Sequence, residues 1–215
     1  QSDVIVDMIK RYDFPYITLN PGASFRGLHD SLVNYGDNKP PMMLCNHEEI
    51  AVQIAHGYAK ASGKPMAVIV HNLVGLLHCT MAIYYAFLDR VPIFIMGATG
   101  PMDEAKRRPH IDWTHTALVQ GNAVRDYTKP KGPIYMCYDA AMQEAPKTEA
   151  VPLPPEGAVT MPSPIAPDPR AIEAIADKLL KAEHPMLLPE YAGRRAGGFE
   201  SIVELAELTG SAVWD

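Results

Sequence analysis

HEEIAVQIAHGYAKASGKPMAVIVHN, residues 47–72, decides how this chain is read. From His47 to Ser62 the apolar residues recur at helical spacing. Gly63-Lys64-Pro65 closes the helix, and Met66 to Val70 is an unbroken apolar run of strand length. A strand without polar alternation, entered directly from a helix, belongs to a parallel sheet covered on both faces. Inside the helix, Glu49, Gln53, His56 and Lys60 form a polar side, whereas Glu48 lines up with Val52, Ala55 and Ala59 on the apolar side. A carboxylate facing a packed interior loses hydration, so its pKa rises unless it is paired. Three readings of Glu48 stay open: a proton-transfer group, a satisfied structural glutamate, or a rim residue in the first helical turn, where acids are common.

Working outward, the same alternation continues. A mixed helical pattern over residues 3–12 leads to a strand at 15–19 that ends in Asn20-Pro21-Gly22. Ser24 is placed to cap a helix running to about Tyr35, and a short apolar strand, 42–45, precedes the Glu48 helix. Downstream, Asn72 is placed to cap a helix to about Leu88, followed by a strand at 91–96. The fold class expected is α/β: a doubly wound, mostly parallel sheet with helices on both faces. Residues 97–116 are polar, contain Pro101 and Pro109, and read as a surface segment. Val124–Thr128 and Pro133–Tyr138 both have strand character, yet only Lys129 to Gly132 separates them, too few for a parallel crossover. Either they form a hairpin or a crossover helix is missing between them.

Residues 146–168 form a proline-rich linker, after which helix (169–181), strand (185–188), helix (198–208) and strand (212–214) patterns follow. The expected organisation is therefore a domain at 1–145, a linker at 146–168, and at 169–215 the incomplete start of a second α/β domain. About 47 residues are too few to close such a domain alone, so the sequence is expected to be the front of a longer chain.

Composition narrows the function. A formal net charge of -6 offers no general field for nucleic acid or an anionic membrane. The basic run Lys106-Arg107-Arg108 reads as a solvated or interface loop ahead of an anion site. Cys45, Cys79 and Cys137 have neither zinc spacing nor a disulfide framework and read as buried thiols in a reducing compartment. No signal-like start and no segment of transmembrane length are present, which makes a cytoplasmic location the expectation. There is no GxGxxG after a strand, no phosphate loop, no Gly-x-Ser-x-Gly elbow and no HExxH.

Open parallel sheets bind ligands beyond the carboxyl ends of their strands. The Asn20-Pro21-Gly22 turn, Glu48 and His71 all fall there. His71 has the chemistry to donate, accept or relay a proton near neutral pH, and equally to bond a neighbouring loop.

The residues also carry a resemblance. HEEIAVQIAHGYAKASGKP and VIVH, with NPGAS at 20–24 and GLLHCTMAIYYAFLDRVPIFIMGATGP at 75–101, resemble the pyrimidine-binding domain of thiamine diphosphate enzymes of the acetolactate synthase and benzoylformate decarboxylase superfamily. The likeness covers residues 1 to about 145, and 165–215 resemble the opening of that family's central domain. The family's glutamate lies nine positions before Gly-Tyr-Ala on one helix, a spacing met by Glu48 and Gly57-Tyr58-Ala59 and not by Glu49.

The resemblance implies that Glu48 bonds a ring nitrogen of the cofactor's aminopyrimidine and promotes formation of the nucleophilic ylide. It implies a cofactor-facing loop at Pro21, Gly22 and Ala23, and substrate contacts from Ala23, Ser24, His71 and Asn72. His71 matches the histidine of the decarboxylase branch. That branch places a serine directly after Asn-Pro-Gly, whereas this chain has Ala23 and then Ser24, a departure that points away from aromatic 2-oxo acids. Thiamine diphosphate with Mg2+ is implied, the diphosphate and metal ligands lying outside this segment and no metal ligand inside it. So is a homodimer or homotetramer in which a partner completes the site. The reaction implied is cleavage or formation of a C–C bond next to a carbonyl, starting from a 2-oxo acid or related small molecule. Its rivals are a thiamine-dependent lyase or diketone C–C hydrolase, and a non-catalytic truncated scaffold module.

Overall fold

The computed structural model describes residues 1–128, 132–146, 149–158 and 165–214. It divides into two compact units, Gln1–Pro154 and Pro155–Asp215. The first unit holds α1 (Ser2–Arg11), β1 (Ile17–Leu19), α2 (Arg26–Asn34), β2 (Met42–Leu44), α3 (Glu48–Ser62), β3 (Met66–Ile69), α4 (Val74–His78), α5 (Thr80–Leu88), β4 (Ile93–Thr99), α6 (Ile111–His115), β5 (Ile134–Asp139) and α7 (Ala140–Glu144). All five strands are parallel, in the order β2-β1-β3-β4-β5. The chain winds outward from β1 to β2, then crosses back to β3, so the order reverses between β1 and β3.

The period of two along β3 divides the core. Met66, Val68 and Val70 pack with Ala51, Val52, Ala55 and Ala59 of α3 and Ala82, Ile83 and Ala86 of α5. Ala67 and Ile69 face the other way, onto Val6 and Ile9 of α1 and Leu28 and Leu32 of α2. Helices on both faces are thus dictated by the side-chain alternation of a strand that is apolar throughout. At the sheet edges the expected double cover fails. Leu44 of β2 is 68% exposed, and Ile134 and Met136 of β5 are 46% and 45% exposed, because edge strands have a neighbour on one side only. Cys45 and Cys79 are buried as expected, but Cys137, on β5, is exposed.

Val124–Thr128 is not a strand. A 3-10 segment, Gln120–Tyr127, takes its place, and Gln120, Val124 and Tyr127 turn inward at helical spacing. β5 pairs with β4 in parallel from Phe94↔Ile134 to Thr99↔Asp139, which excludes a hairpin. The connection is residues 100–133, built from short helical pieces, and a missing helix between Thr128 and Gly132 loses its premise along with the strand. Lys129 to Lys131 lie outside the described residues. The single helix expected from 72 to 88 is broken at Cys79 into α4 and α5.

In the second unit, α8 (Pro169–Lys181) starts on Asp168, whose carboxylate accepts from the Arg170 N–H at 3.0 Å. β6 (Met186–Leu187) pairs in parallel with β7 (Ala212–Val213), with α9 (Gly198–Thr209) between them. No residue of α8 or α9 is buried, as expected of two strands with too little surface to cover two helices.

Candidate active site

β1, β2 and β3 end at one level, since Leu19 is paired with both Leu44 and Ile69. The turns that follow, Asn20-Pro21-Gly22, Cys45-Asn46-His47 and Val70-His71-Asn72, therefore share the carboxyl edge at the point where strand order reverses. Thr18, fully buried on β1, donates to the Ala51 carbonyl at 2.8 Å and fixes the first turn of α3 over this edge.

Glu48 is the first residue of α3 and 3% exposed. His47 caps the helix, its Nδ1 accepting from the Glu49 N–H at 3.2 Å. Glu48 Oε2 lies 3.1 Å from Nδ1 of His78, on the last residue of α4. Burial opposes ionisation of Glu48, but hydrogen bonds from His78, from its own backbone N–H and from the Asn20 side chain, together with the charge of a protonated His78, outweigh it. The carboxyl sits below its ordinary 4.5, so pairing prevails over the rise that burial alone would cause. Its other oxygen, Oε1, borders Gly75, where a Cβ would stand 3.0 Å away. Beside the carboxylate, burial pushes the Cys79 thiol up to about 12, and the Glu48 charge adds to the rise.

His71 is held by Ser24. Ser24 Oγ accepts from the Asn72 N–H at 3.0 Å and lies 2.7 Å from His71 Nδ1, while the Ser24 N–H points at the same nitrogen from 3.4 Å. The Ser24 backbone N–H can only donate, so Nδ1 is the acceptor, the hydroxyl donates to it as well, and the His71 proton is assigned to Nε2. Burial lowers the His71 pKa, and nearby His115 lowers it further against the opposing charge of Glu48, so the ring is neutral at pH 7. Gly22 lies flat against this ring: a Cβ there would meet it at 2.7 Å.

Several expected roles change. Ser24 sits inside a 3-10 turn, Ala23–Phe25, and does not cap α2, which begins after Phe25 without a side-chain cap. Asn72 does not cap α4; its amide donates to the His115 carbonyl, and its buried Oδ1 has no partner among the described residues. Pro21 and Ala23 are exposed at the rim. His56, expected on the polar side of α3, is buried and bonded to Asp89 at 2.9 Å.

Two participants come from positions that sequence reasoning passed over. His78 stands seven residues after His71, a two-turn spacing that would have been the signal. His115 ends α6 inside the segment read as surface loop, its ring 5.3 Å from that of His71. Its Nδ1–H donates to the Ile111 carbonyl at 2.7 Å, so the neutral form of the ring carries its lone pair on Nε2. Gln120 and Gln143 brace the edge. Gln120 accepts from the Leu73 N–H and donates to the Ala98 carbonyl, and Gln143 donates to the Ser24 carbonyl.

Donor atoms of His47, Glu48 and His78 all lie within 4.8 Å of one another. The two rings are stacked, 4.7 Å apart and 20° from parallel, so their in-plane lone pairs run side by side instead of converging on one point. Within the cluster Glu48 and His78 share a hydrogen bond, and His47 Nδ1 is taken by the Glu49 N–H. Lys106, Arg107 and Arg108 are matched by Asp103, Glu104 and Asp112, which removes the charge excess an anion site needs. A 560 Å³ cavity lined by Gln1, Val4, Tyr138, Met142 and Gln143 touches the edge only through Gln143 and includes neither Glu48 nor His71.

A family model for the N-terminal TPP binding domain of thiamine pyrophosphate enzymes matches residues 1–122. The acetolactate synthase large subunit of Lactococcus lactis is 31% identical over 106 residues, covering 49% of this chain and 18% of the synthase. The benzoylformate decarboxylase structure from Polynucleobacter necessarius superposes with a TM-score of 0.72 at 18% identity, over 99% of this chain and 43% of that one. The thiamine diphosphate-dependent 4-hydroxybenzoylformate decarboxylase of Rhodococcus jostii gives 0.71 at 17% identity, over 100% and 44%. The chain thus spans less than half the length of these relatives.

Proposed function

Because this chain belongs to the thiamine pyrophosphate enzymes, through their N-terminal TPP binding domain, we propose that its carboxyl edge is the pyrimidine half of a thiamine diphosphate site. The observation that carries this reading is Glu48: a carboxylate 3% exposed, kept ionised by its partners, with one oxygen beside a glycine. An ionised carboxylate in a low-dielectric wall suits a ring nitrogen that must hold a proton, because a charge-assisted hydrogen bond is stronger there than in water. Gly22 and Gly75 let the backbone pack directly against His71 and Glu48, since a Cβ there would stand 2.7 Å from the imidazole and 3.0 Å from the carboxylate. Thiamine diphosphate, when bound, supplies a nucleophilic carbon for addition to a carbonyl.

The chain's own residues do the rest. Glu48 holds the ring nitrogen through Oε1, with Pro21, Gly22 and Ala23 as the facing rim. His71 presents a neutral Nε2–H and His115 an Nε2 lone pair, a donor and an acceptor for the two ends of a carboxylate or carbonyl substrate and its proton. Ser24 sets the tautomer of His71, and Asn72 supplies the backbone N–H that orients Ser24. The reaction is cleavage or formation of a C–C bond adjacent to a carbonyl, on a 2-oxo acid, as decarboxylation or carboligation. The segment 1–145 acts as the pyrimidine domain and 169–215 as the start of the next, joined by 146–168. The diphosphate and Mg2+ ligands lie outside this segment, and the open face is completed by a partner subunit in a homodimer or homotetramer. No helix among the described residues is long and apolar enough to cross a membrane. A cytoplasmic location without nucleic-acid or membrane partners belongs to the same reading.

The test is hydrogen–deuterium exchange at the thiazolium C2 of bound thiamine diphosphate in the full-length protein. Glu48→Gln slows it about 100- to 10,000-fold with the fold retained; exchange at the unmutated rate refutes the assignment. His71→Ala changes turnover and product ratio while leaving C2 exchange within a few-fold, measured with pyruvate and benzoylformate as substrates.

A further inference from the structure

Before the cofactor arrives, neither group that will share a proton has one. Glu48 is held ionised, and an aminopyrimidine ring nitrogen is a weak base at neutral pH. A proton must therefore come from elsewhere, and His78 is placed to bring it. Its Nδ1 is 3.1 Å from Glu48 Oε2, and its side chain is 49% exposed against 4% for the carboxylate, so it joins a buried acceptor to solvent. His47, itself bonded in the helix cap, stacks on the His78 ring at 4.7 Å. Imidazole is the one side chain whose ordinary titration spans neutral pH.

We infer that the Glu48–His78 pair is a proton store for the cofactor site, releasing one proton toward the carboxylate when a basic ring nitrogen docks on Oε1. This rests on the reading of Glu48 proposed above. The step balances as one proton moved. The Nδ1–H bond of His78 breaks, an O–H bond forms on Oε2, and the carboxyl presents that proton to the ring nitrogen by turning about Cγ–Cδ. His78 is left as neutral imidazole and the carboxylate as the acceptor of the new N–H. Two positive charges beside one carboxylate repel, which favours release. His78 acts through Glu48 and is a positioning residue. The titratable groups around it are Glu48, Glu49 and His47 at the start of α3, Cys79 at the α4–α5 break, whose thiol stays protonated, and His71 on the far side of the carboxylate.

The experiment counts protons. Thiamine diphosphate with Mg2+ is titrated calorimetrically into cofactor-free full-length protein in buffers of different ionisation enthalpy. In the unmutated protein, net proton uptake rises by about one from acid to mildly alkaline pH, as the store empties before binding. His78→Asn keeps a side-chain donor but cannot titrate, so its uptake stays flat at the higher value. His78→Gln does the same should the first variant fold poorly. An unchanged pH profile in both variants overturns the store. Glu48→Gln separates the two ideas. If it abolishes uptake while the His78 variants behave as unmutated, the store fails and the cofactor reading stands. If uptake and C2 exchange both survive Glu48→Gln, the cofactor reading fails and the store with it.

Discussion

Helix α3 carries a histidine–carboxylate pair at each end, and the two are built inside out. At its start the carboxylate is buried and the imidazole open: Glu48 is 4% exposed at its side chain and His78 49%, 3.1 Å apart. Toward its end the imidazole is buried and the carboxylate is the more open partner: His56 is 11% and Asp89 28%, 2.9 Å apart, with Lys60 closing on the same oxygen at 2.7 Å. The second cluster is the more crowded at one atom, since His56 and Lys60 share a single oxygen of Asp89. The first keeps one carboxylate oxygen beside a glycine. Glu48 accepts from His78, Asn20 and its own backbone N–H, whereas Asp89 is bonded by His56 and Lys60.

Exchanging the two carboxylates for amides separates these roles most widely. Glu48→Gln costs the orders of magnitude in C2 exchange given above, whereas Asp89→Asn keeps exchange within a few-fold. Equal losses in the two variants would erase the distinction. Next in size, Asp89→Ala leaves the buried His56 ring without its partner and lowers stability by about 1–3 kcal/mol, read as a shift in urea midpoint at constant slope. Glu48→Gln moves that midpoint less.

The glycines near the two clusters sharpen the comparison further. A methyl group at Gly75 would stand 3.0 Å from Glu48 Oε1, whereas one at Gly57, next to His56, meets nothing within 4 Å. Gly75→Ala weakens thiamine diphosphate binding roughly tenfold by shifting the carboxylate. Gly57→Ala leaves affinity unchanged and adds about 0.5–1 kcal/mol of stability. Fluorescence titration and thermal melting report the two effects.

The smallest effect is in acid. Both carboxyls have folded pKa values below their ordinary 4.5 and 3.8, Glu48 by its hydrogen bonds against burial and Asp89 first by the bond from Lys60. Each therefore adds stability that is fully present above its unfolded value and is lost as pH falls through the lower folded one. Urea midpoints measured downward from pH 6 fall below about pH 4.5 in the unmutated protein. Glu48→Gln removes the early part of that fall and Asp89→Asn the later part.

Glu48 was legible because a charged residue broke an apolar stripe of period 3.6, and the strand levels followed from unbroken apolar runs such as Met66–Val70. The partners of Glu48 were not legible, because His78 and Asn20 reach it only after β1 and β3 pair side by side. Periodicity also cannot show that a helix breaks, and the interruption at Cys79 is what ends α4 with His78 facing the carboxylate. Val124–Thr128 misled for a related reason. Its β-branched and aromatic residues favour a strand, but three inward contacts at helical spacing outweigh a propensity worth tenths of a kcal/mol per residue. His56 looked polar on the helical wheel and is buried, since Asp89 and Gln53 satisfy its nitrogens within the fold.

The fully buried Cys79 has a further, practical side. With its thiol pushed up to about 12, on the order of one molecule in ten thousand carries a thiolate there at pH 8. Cys137 of β5 is exposed, although burial also raises its thiol pKa and its Sγ accepts from Gln120 Nε2 at 3.0 Å, so alkylating reagents meet it before Cys79. A fluorophore or spin label mounted on Cys137 needs no engineered cysteine, and it displaces the Gln120 amide from the sulfur, so its first report is on the Gln120 brace of the carboxyl edge.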